Sequence, residues 1–475
     1  MATEKRRLFG RDVIMHDEVE ITNDNICEIL EKAMRVHEKN RSDIQYLWKY
    51  YKGDQPILYR KKTVRPEICN RVVENRANEI VSFKVGYLCG EPIKYIGKNG
   101  SESVSKAISE LNEMMDSEGK ATQDKEIVEW QSICGTAYRL TLPDTRKGDD
   151  DAPFEMYTLD PRDSFVVYGN GIGNRSMLGV KYYVTADNDV IYSAYSSNWY
   201  WKIKNHEIVE SKAHALGMIP IVEYPANTAR LGAFEIVIDL LDSINMVASN
   251  RLDGIEQFIQ AFVKFVNCDI TADDFKELKD LGAIKVKSSD GQQADVDIVT
   301  NELNQMQTQT LVDYMYQTVL TICGMPNRNG GSSTSDTGQA VLLRDGYTAA
   351  ESRAKDSELM FKASELNTLK LVLRIIRDTR GLSDDIYALR LKDIDSQFTR
   401  RNYENIQSKA QVLTQMLGQN KIHPRLAFAH CGMFTDPEDA YRVSEQYYEA
   451  ERSKVAPTPT PDLDDKTEVR EERVH

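Results

Sequence analysis

LTICGMPNRNGGSSTSDTGQAVLLR, residues 320–344, decides how the chain is divided. A helix-period pattern arrives at Cys323 and gives way to Asn327, Arg328, Asn329, Gly330, Gly331, Ser332, Ser333, Thr334, Ser335 and Asp336. That run is too small, polar and glycine-rich to bury anything. At Thr337 a second helical pattern starts and continues to about Arg380, roughly 60 Å if unbroken. A polar loop between two helices, the second unusually long, suits the lining of a space better than the filling of a core. Gly346 falls inside the second pattern, costs about 1 kcal/mol relative to Ala there, and marks an expected bend.

Outward from the loop, the period of the apolar residues sets the elements. Upstream, residues 302–323 form a helix rich in Gln, Asn and Thr, and residues 234–266 a helix of about 30 residues. Between them lies a compact insert with strands over 284–287 and 296–300 around the polar turn 288–295. Lys285 and Lys287 alternate with Ile284 and Val286, so both point to one face of a strand. Residues 137–221 alternate with period two in six short aromatic and β-branched segments, a mostly antiparallel sheet with turns at Asn170–Gly171 and Asp187–Asn188. Nearer the N-terminus, one helical pattern opens at Asn23/Asp24, with a second apolar set from Ile44 to Tyr51. Another covers 70–85 before Gly86 breaks it. A strand is expected over 385–398, then helices over 403–417, 424–430 and 437–451 and a Pro-spaced, charged, disordered tail. The fold class is α+β, mainly helical.

Composition narrows the function. The 475 residues exceed one ordinary core. Seven cysteines without a CxxC pair read as reduced thiols. The start MATEKRRLFG lacks an apolar signal core, and no run of about 18 uncharged apolar residues offers a membrane span. A net charge of −14 argues against gripping DNA or anionic membranes over the whole surface, without excluding a protein that lets DNA pass.

Chemical signatures are weak. Gly97-Lys98-Asn99 and Gly119-Lys120-Ala121 lack the hydroxyl and upstream glycine of a phosphate-binding loop, so energy for any transport comes from another protein. His423, His430 and Cys431 lack a fourth metal ligand, and His206, Ser211 and His214 show no nucleophile signature. Ser333-Thr334-Ser335 with Glu449 and Glu451 is similar to the STS and ExE elements of ADP-ribosyltransferases, but here they lie in a loop and on a distant helix. No catalytic residue, metal or cofactor is expected.

An ordered set of short segments runs over about residues 24–451. Tyr50-Tyr51-Lys52-Gly53 and Asn70-Arg71-Val72-Val73 carry the first part, with Val85-Gly86-Tyr87-Leu88-Cys89-Gly90-Glu91-Pro92. Asp239, Leu240, Asp242, Ser243, Ser249, Asp253 and Phe258 follow on one helix. Thr337-Gly338-Gln339-Ala340, Phe398-Thr399-Arg400-Arg401-Asn402 and Asp436-Pro437-Glu438 complete the set. In their order and spacing these parts resemble the bacteriophage portal proteins of the SPP1 type. His423 departs from it, standing where the family often has a Ser or Thr cap.

The resemblance implies a portal fold assembling into a ring, usually of twelve subunits, at one capsid vertex. Residues 1–232 would be the wing, 233–267 and 302–323 the stem helices, and 268–301 the clip. Residues 324–337 would hold the tunnel loop, with Asn327 to Asp336 at the channel; 338–400 would be the long bent helix and a return strand to the wing. Residues 401–453 would be the crown and 454–475 a disordered tail. Lys285, Lys287, Asp290 and Gln292 would sit on the clip's docking face. Implied partners are double-stranded DNA passing through, the terminase large subunit, a head–tail adaptor, and the major capsid and scaffolding proteins, in the virion and, during assembly, the host cytoplasm. A helical structural adaptor that never contacts DNA is the alternative.

Overall fold

The computed structural model describes residues 8–98, 101–144, 152–259, 262–266, 295–299, 305–327, 346–399, 406–434 and 437–454. Two compact units emerge, Met1–Arg401 and Asn402–His475.

In the first unit, β1 (Ile14–His16) precedes α1 (Ile26–Tyr51). The two apolar sets near the N-terminus belong to this one helix, because no Gly or Pro interrupts them. Ile26, Ile29, Leu30, Ala33, Ile44, Leu47 and Tyr50 are buried along it. The helix starts after Asn25, whose Oδ1 accepts the Thr22 N–H, rather than at Asn23/Asp24.

The next helix, α2 (Arg76–Leu88), starts six residues later than residue 70 and runs through Gly86. The late start is tertiary: side chains from a distant helix take the backbone N–H groups of Asn70, Val72 and Glu74 and hold them out of a helix. Gly86 keeps helical backbone geometry, and a Cβ there would meet nothing, so its site does not require a glycine and does not break the helix. Next come β2 (Lys94–Gly97), α3 (Glu102–Ser117) and α4 (Lys120–Cys134).

The period-two region forms two sheets rather than one. Its strands are β3 (Thr136–Pro143), β4 (Phe154–Leu159), β5 (Ser164–Gly169), β6 (Ser176–Val184), β7 (Val190–Tyr195), β8 (Trp199–Lys204), β9 (Glu207–Ala213) and β10 (Ile221–Pro225). The six-stranded sheet has the order β1-β5-β6-β7-β8-β9, with β1 parallel to β5, and the three-stranded sheet the order β10-β3-β4. The apolar face of α1's first half packs on the larger sheet through Phe165, Leu178, Val180 and Trp201.

Then come α5 (Ile238–Ile259), the antiparallel ladder of β11 (Phe262–Val266) with β12 (Asp295–Val299), α6 (Gln305–Cys323) and α7 (Tyr347–Asp378). The strand expected over 385–398 is only partly formed. Ser383 Oγ accepts the Ile386 N–H and, with Asp384 and Asp385 in the first turn, starts the short helix α8 (Asp384–Ala388). Only β13 (Ile394–Gln397) extends, antiparallel to β2.

The second unit has α9 (Ile406–Leu417), α10 (Pro424–His430) and α11 (Pro437–Lys454). His423 performs the cap itself: its Nδ1 accepts the Arg425 N–H at 3.2 Å, with Pro424 at the first helical position. Of the tail expected over 454–475, Lys454 instead ends α11, and residues 455–475 lie outside the described residues.

Candidate functional site

Local chemistry ends α5 earlier than the apolar count suggests. Phe262-Val-Lys-Phe-Val is aromatic and β-branched, and it pairs as β11 from Phe262↔Val299 to Val266↔Asp295. The expected single helix over 234–266 is therefore a turn of 3₁₀ helix at Glu235–Val237, then α5, then a strand. Residues 267–294, with Lys285, Lys287, Asp290 and Gln292, lie outside the described residues.

One face of α5 is a polar clamp. Asn245, Ser249 and Asp253 are spaced four apart, so they line one stripe, and all are buried. Asn245 Oδ1 accepts the Glu74 N–H at 2.9 Å, and Ser249 Oγ accepts the Val72 N–H at 2.9 Å. Asp253 accepts the Asn70 N–H at 2.7 Å and pairs with Lys62 at 3.0 Å and Arg60 at 3.2 Å. Burial alone would raise the Asp253 pKa; the Asn70 N–H and Lys62 outweigh it and hold the carboxyl below its usual range. Tyr50 donates to Asp242 at 2.9 Å. Three of the residues that carry the family resemblance here are thus scaffold: Ser249 and Asp253 bind an extended segment to the helix, and Asp242 ties it to α1.

The rest of the helix pair is left open. On α5, Met246, Leu252 and Ile255 are exposed, and on α6 Met306 is 80% and Tyr314 66% exposed, with Leu311 beside them. Large apolar side chains in rows, on two packed helices, are what a further protein surface covers. α6 carries no Lys or Arg and one acid, Asp313. Thr310, Thr318 and Thr321 turn their hydroxyls inward, each donating to the carbonyl four residues back at 2.8–2.9 Å. On α5, Asp239, Asp242, Asp253 and Glu256 outnumber Arg251. Such a pair offers phosphates almost no cation.

The stretch after α6 begins with a Schellman turn. The Met325 N–H reaches the Leu320 carbonyl at 2.8 Å and the Gly324 N–H that of Thr321 at 3.2 Å, with Gly324 at φ +62°. Leu320 and Met325 share one buried cluster, the apolar contact that accompanies this cap. Asn327 is the last described residue; Arg328, Asn329, Gly330, Gly331, Ser332, Ser333, Thr334, Ser335 and Asp336 lie outside. The chain is described again at Gly346, φ +80°, which precedes α7 instead of bending it from within. A left-handed residue cannot continue a right-handed helix, so the helix expected from Thr337 to Arg380 is broken at Gly346. A Cβ on Gly346 would stand 3.7 Å from Pro326 Cα, so the two ends of the intervening stretch meet.

A buried ionic network, invisible to sequence reading, anchors α7. Glu365 meets Arg139 at 3.0 Å and Lys120 at 3.2 Å; Asp124 meets both cations at 2.5 Å. Tyr224 donates to Glu365 at 2.6 Å, and Tyr95 also bonds to it. All four charged groups are at least 97% buried by side chain, so the two positive and two negative groups must balance. Burial opposes the Glu365 charge, yet Lys120, Arg139 and the two tyrosines hold its pKa at about 2. In sequence Lys120 stood out only in a failed phosphate-loop comparison. Its partners come from α4, β3 and α7, and no spacing signals that.

The remaining candidates do not converge. Ser211 donates to Asn23 and the His214 ring contacts the Ser196 carbonyl, so no nucleophile–base pair forms there. Cys431 donates to the Phe428 carbonyl, and no metal-ligating cluster occurs among the described residues. Glu449 and Glu451 lie on α11. No described helix is long and apolar enough to cross a membrane.

Residues 30–456 match the family model described as phage portal protein, SPP1 Gp6-like. A comparison with curated proteins gives no match. That match covers most of the chain, both units included, and by it the chain belongs to the SPP1 Gp6-like phage portal protein family.

Proposed function

We propose that twelve copies of the chain form a ring at the capsid vertex, through which double-stranded DNA is packaged and ejected. The observation that carries this is the α5–α6 pair, apolar and exposed where a neighbouring copy would pack and nearly free of cations where DNA would pass. A sleeve that moves DNA cannot hold it. About 6–10 Lys or Arg contacts to phosphate change affinity by ~10³–10⁵-fold over a modest salt range, and a ring multiplies each contact by its subunit number. The run from Asn327 to Asp336, with Arg328 and Asp336 as its charges, is assigned as the tunnel loop. Gly330 and Gly331 give it freedom to follow the moving phosphate surface. Residues 268–301 are assigned as the clip for terminase and then adaptor, with Lys285, Lys287, Asp290 and Gln292 as its docking residues, and residues 401–453 as the crown.

Electron microscopy of the purified protein tests assembly: a monodisperse annulus with an open pore is expected, and persistent monomer favours the adaptor. Deleting residues 330–334 tests the loop. Rings should form as before while packaging or retention of DNA falls; loss of the ring would contradict the assignment.

A further inference from the structure

A cleft of about 330 Å³ opens in the first unit between the ends of α2, α4, α6 and the start of α7. That volume lies at the small end of ligand pockets, about 300–1,000 Å³. Its walls are largely apolar, with Phe83, Tyr87 and Ile322 among them, and Ile236 at 54% exposure lines it too. Two cations, Lys84 and Arg353, and one carboxylate, Asp356, line it. Neither cation forms an ion pair among the described residues, although this chain carries 74 acidic residues against 60 basic ones. The Arg353 side chain lies over Gly324, where a Cβ would stand 2.2 Å from its Cδ, so the Schellman turn helps place the guanidinium. Burial lowers the Lys84 pKa, the Cys323 side chain partly offsets that, and Arg353 lowers it further. An ammonium kept in such a place without an ion pair among the described residues is poised to gain from an incoming anion.

We infer that this cleft is a socket for an acidic, partly apolar segment of a second copy of the chain, whose carboxylate pairs with Lys84 and Arg353. The inference rests on the ring assembly proposed above. Charge complementarity favours this occupant. A copy carrying −14 presents acid more often than base, 74 residues to 60, and the socket is a cationic recess on that acidic molecule. The apolar walls suit a side chain entering with its carboxylate; a duplex backbone, wholly polar and far larger than the recess, does not fit.

Mixed rings of ¹⁴N- and ¹⁵N-labelled protein, treated with a carbodiimide and digested for mass spectrometry, test this directly on the wild-type chain. Lys84 should be linked to an Asp or Glu of the other isotope. An unlinked Lys84, or a link within its own copy, including to Asp336 or Asp345, overturns the inference. Lys84→Met with Arg353→Gln should keep the wild-type melting profile while raising the concentration for half-assembly at least tenfold, and Lys84→Arg should assemble normally. Unchanged assembly of the double variant removes the socket and leaves the portal reading standing. Inorganic phosphate raising the melting temperature through Lys84, with assembly unaffected, shows a free-ion site instead and also overturns it. A wild-type chain that never forms rings removes both readings.

Discussion

Replacing Arg139 by Met would leave Asp124 and Glu365 facing Lys120 alone, one buried negative charge without compensation. Breaking a buried pair from one side costs about 3–5 kcal/mol. At an unfolding entropy of about 2.1 cal/mol/K per residue over a unit of roughly 400 residues, that is a fall in melting temperature of about 4–6 °C. Glu365→Gln should also destabilise, because it leaves two cations on Asp124. Combining the two changes restores neutrality through the Lys120–Asp124 pair, so the double variant should lose at least about 1 kcal/mol less than the sum of the singles. Denaturant unfolding of all four proteins measures the coupling. Losses that add within about 0.5 kcal/mol would show that the four groups do not act as a unit, and the account of how α7 is anchored would fail.

Acid should expose the same network. Glu365 is depressed from an ordinary 4.5 to about 2, so its contribution is complete above about 4.5 and is lost as pH falls towards 2. Melting curves of wild type and Glu365→Gln should converge over that window; a gap independent of pH would count against it. Gly346→Ala should cost about 1–2 kcal/mol, since φ +80° disfavours any Cβ and the space around it is ordinary. Gly346→Pro, whose φ is locked near −65°, should cost about 3 kcal/mol or more, and wild-type melting of both variants would refute the assigned break. Ring assembly should tighten with added salt or divalent cations, because the −14 charge of each copy repels its neighbours and the part-buried Lys84 is screened less than the surface. Sedimentation across a salt series checks this, and weakening with salt would contradict it.

Most of the elements were legible without coordinates because their signals are local. Helix-period stripes located α6 and the three C-terminal helices, and alternation located six strands. Pro424 and Pro437 marked helix starts that hold in the structure. The misreadings have two kinds of cause. Some are local: β-branched and aromatic residues replace the end of α5 with a strand, the Ser383 cap starts α8, and Gly346 interrupts the long pattern. Others come from residues far away in the chain. Residues 70–75 carry a helical pattern, but Asn245, Ser249 and Asp253 supply better partners for their N–H groups than another helical turn would. β9 and β10 escaped notice because exposed Glu207, Val209 and Glu210 break the alternation in one, and the other is buried along most of its length.

For the candidate site, the sequence by itself determined the family pattern, the acidic balance, the cation-poor helices and the polar run after Cys323. Each is a property of residue type and spacing, which needs no third dimension. Tertiary structure alone decided that Lys120, Asp124, Arg139 and Glu365 meet, that Lys84 and Arg353 share a cleft, and that Pro326 returns to Gly346. Charges hundreds of residues apart leave no trace in one another's neighbourhoods. Only the folded chain, by removing water from between them, makes their sum a constraint.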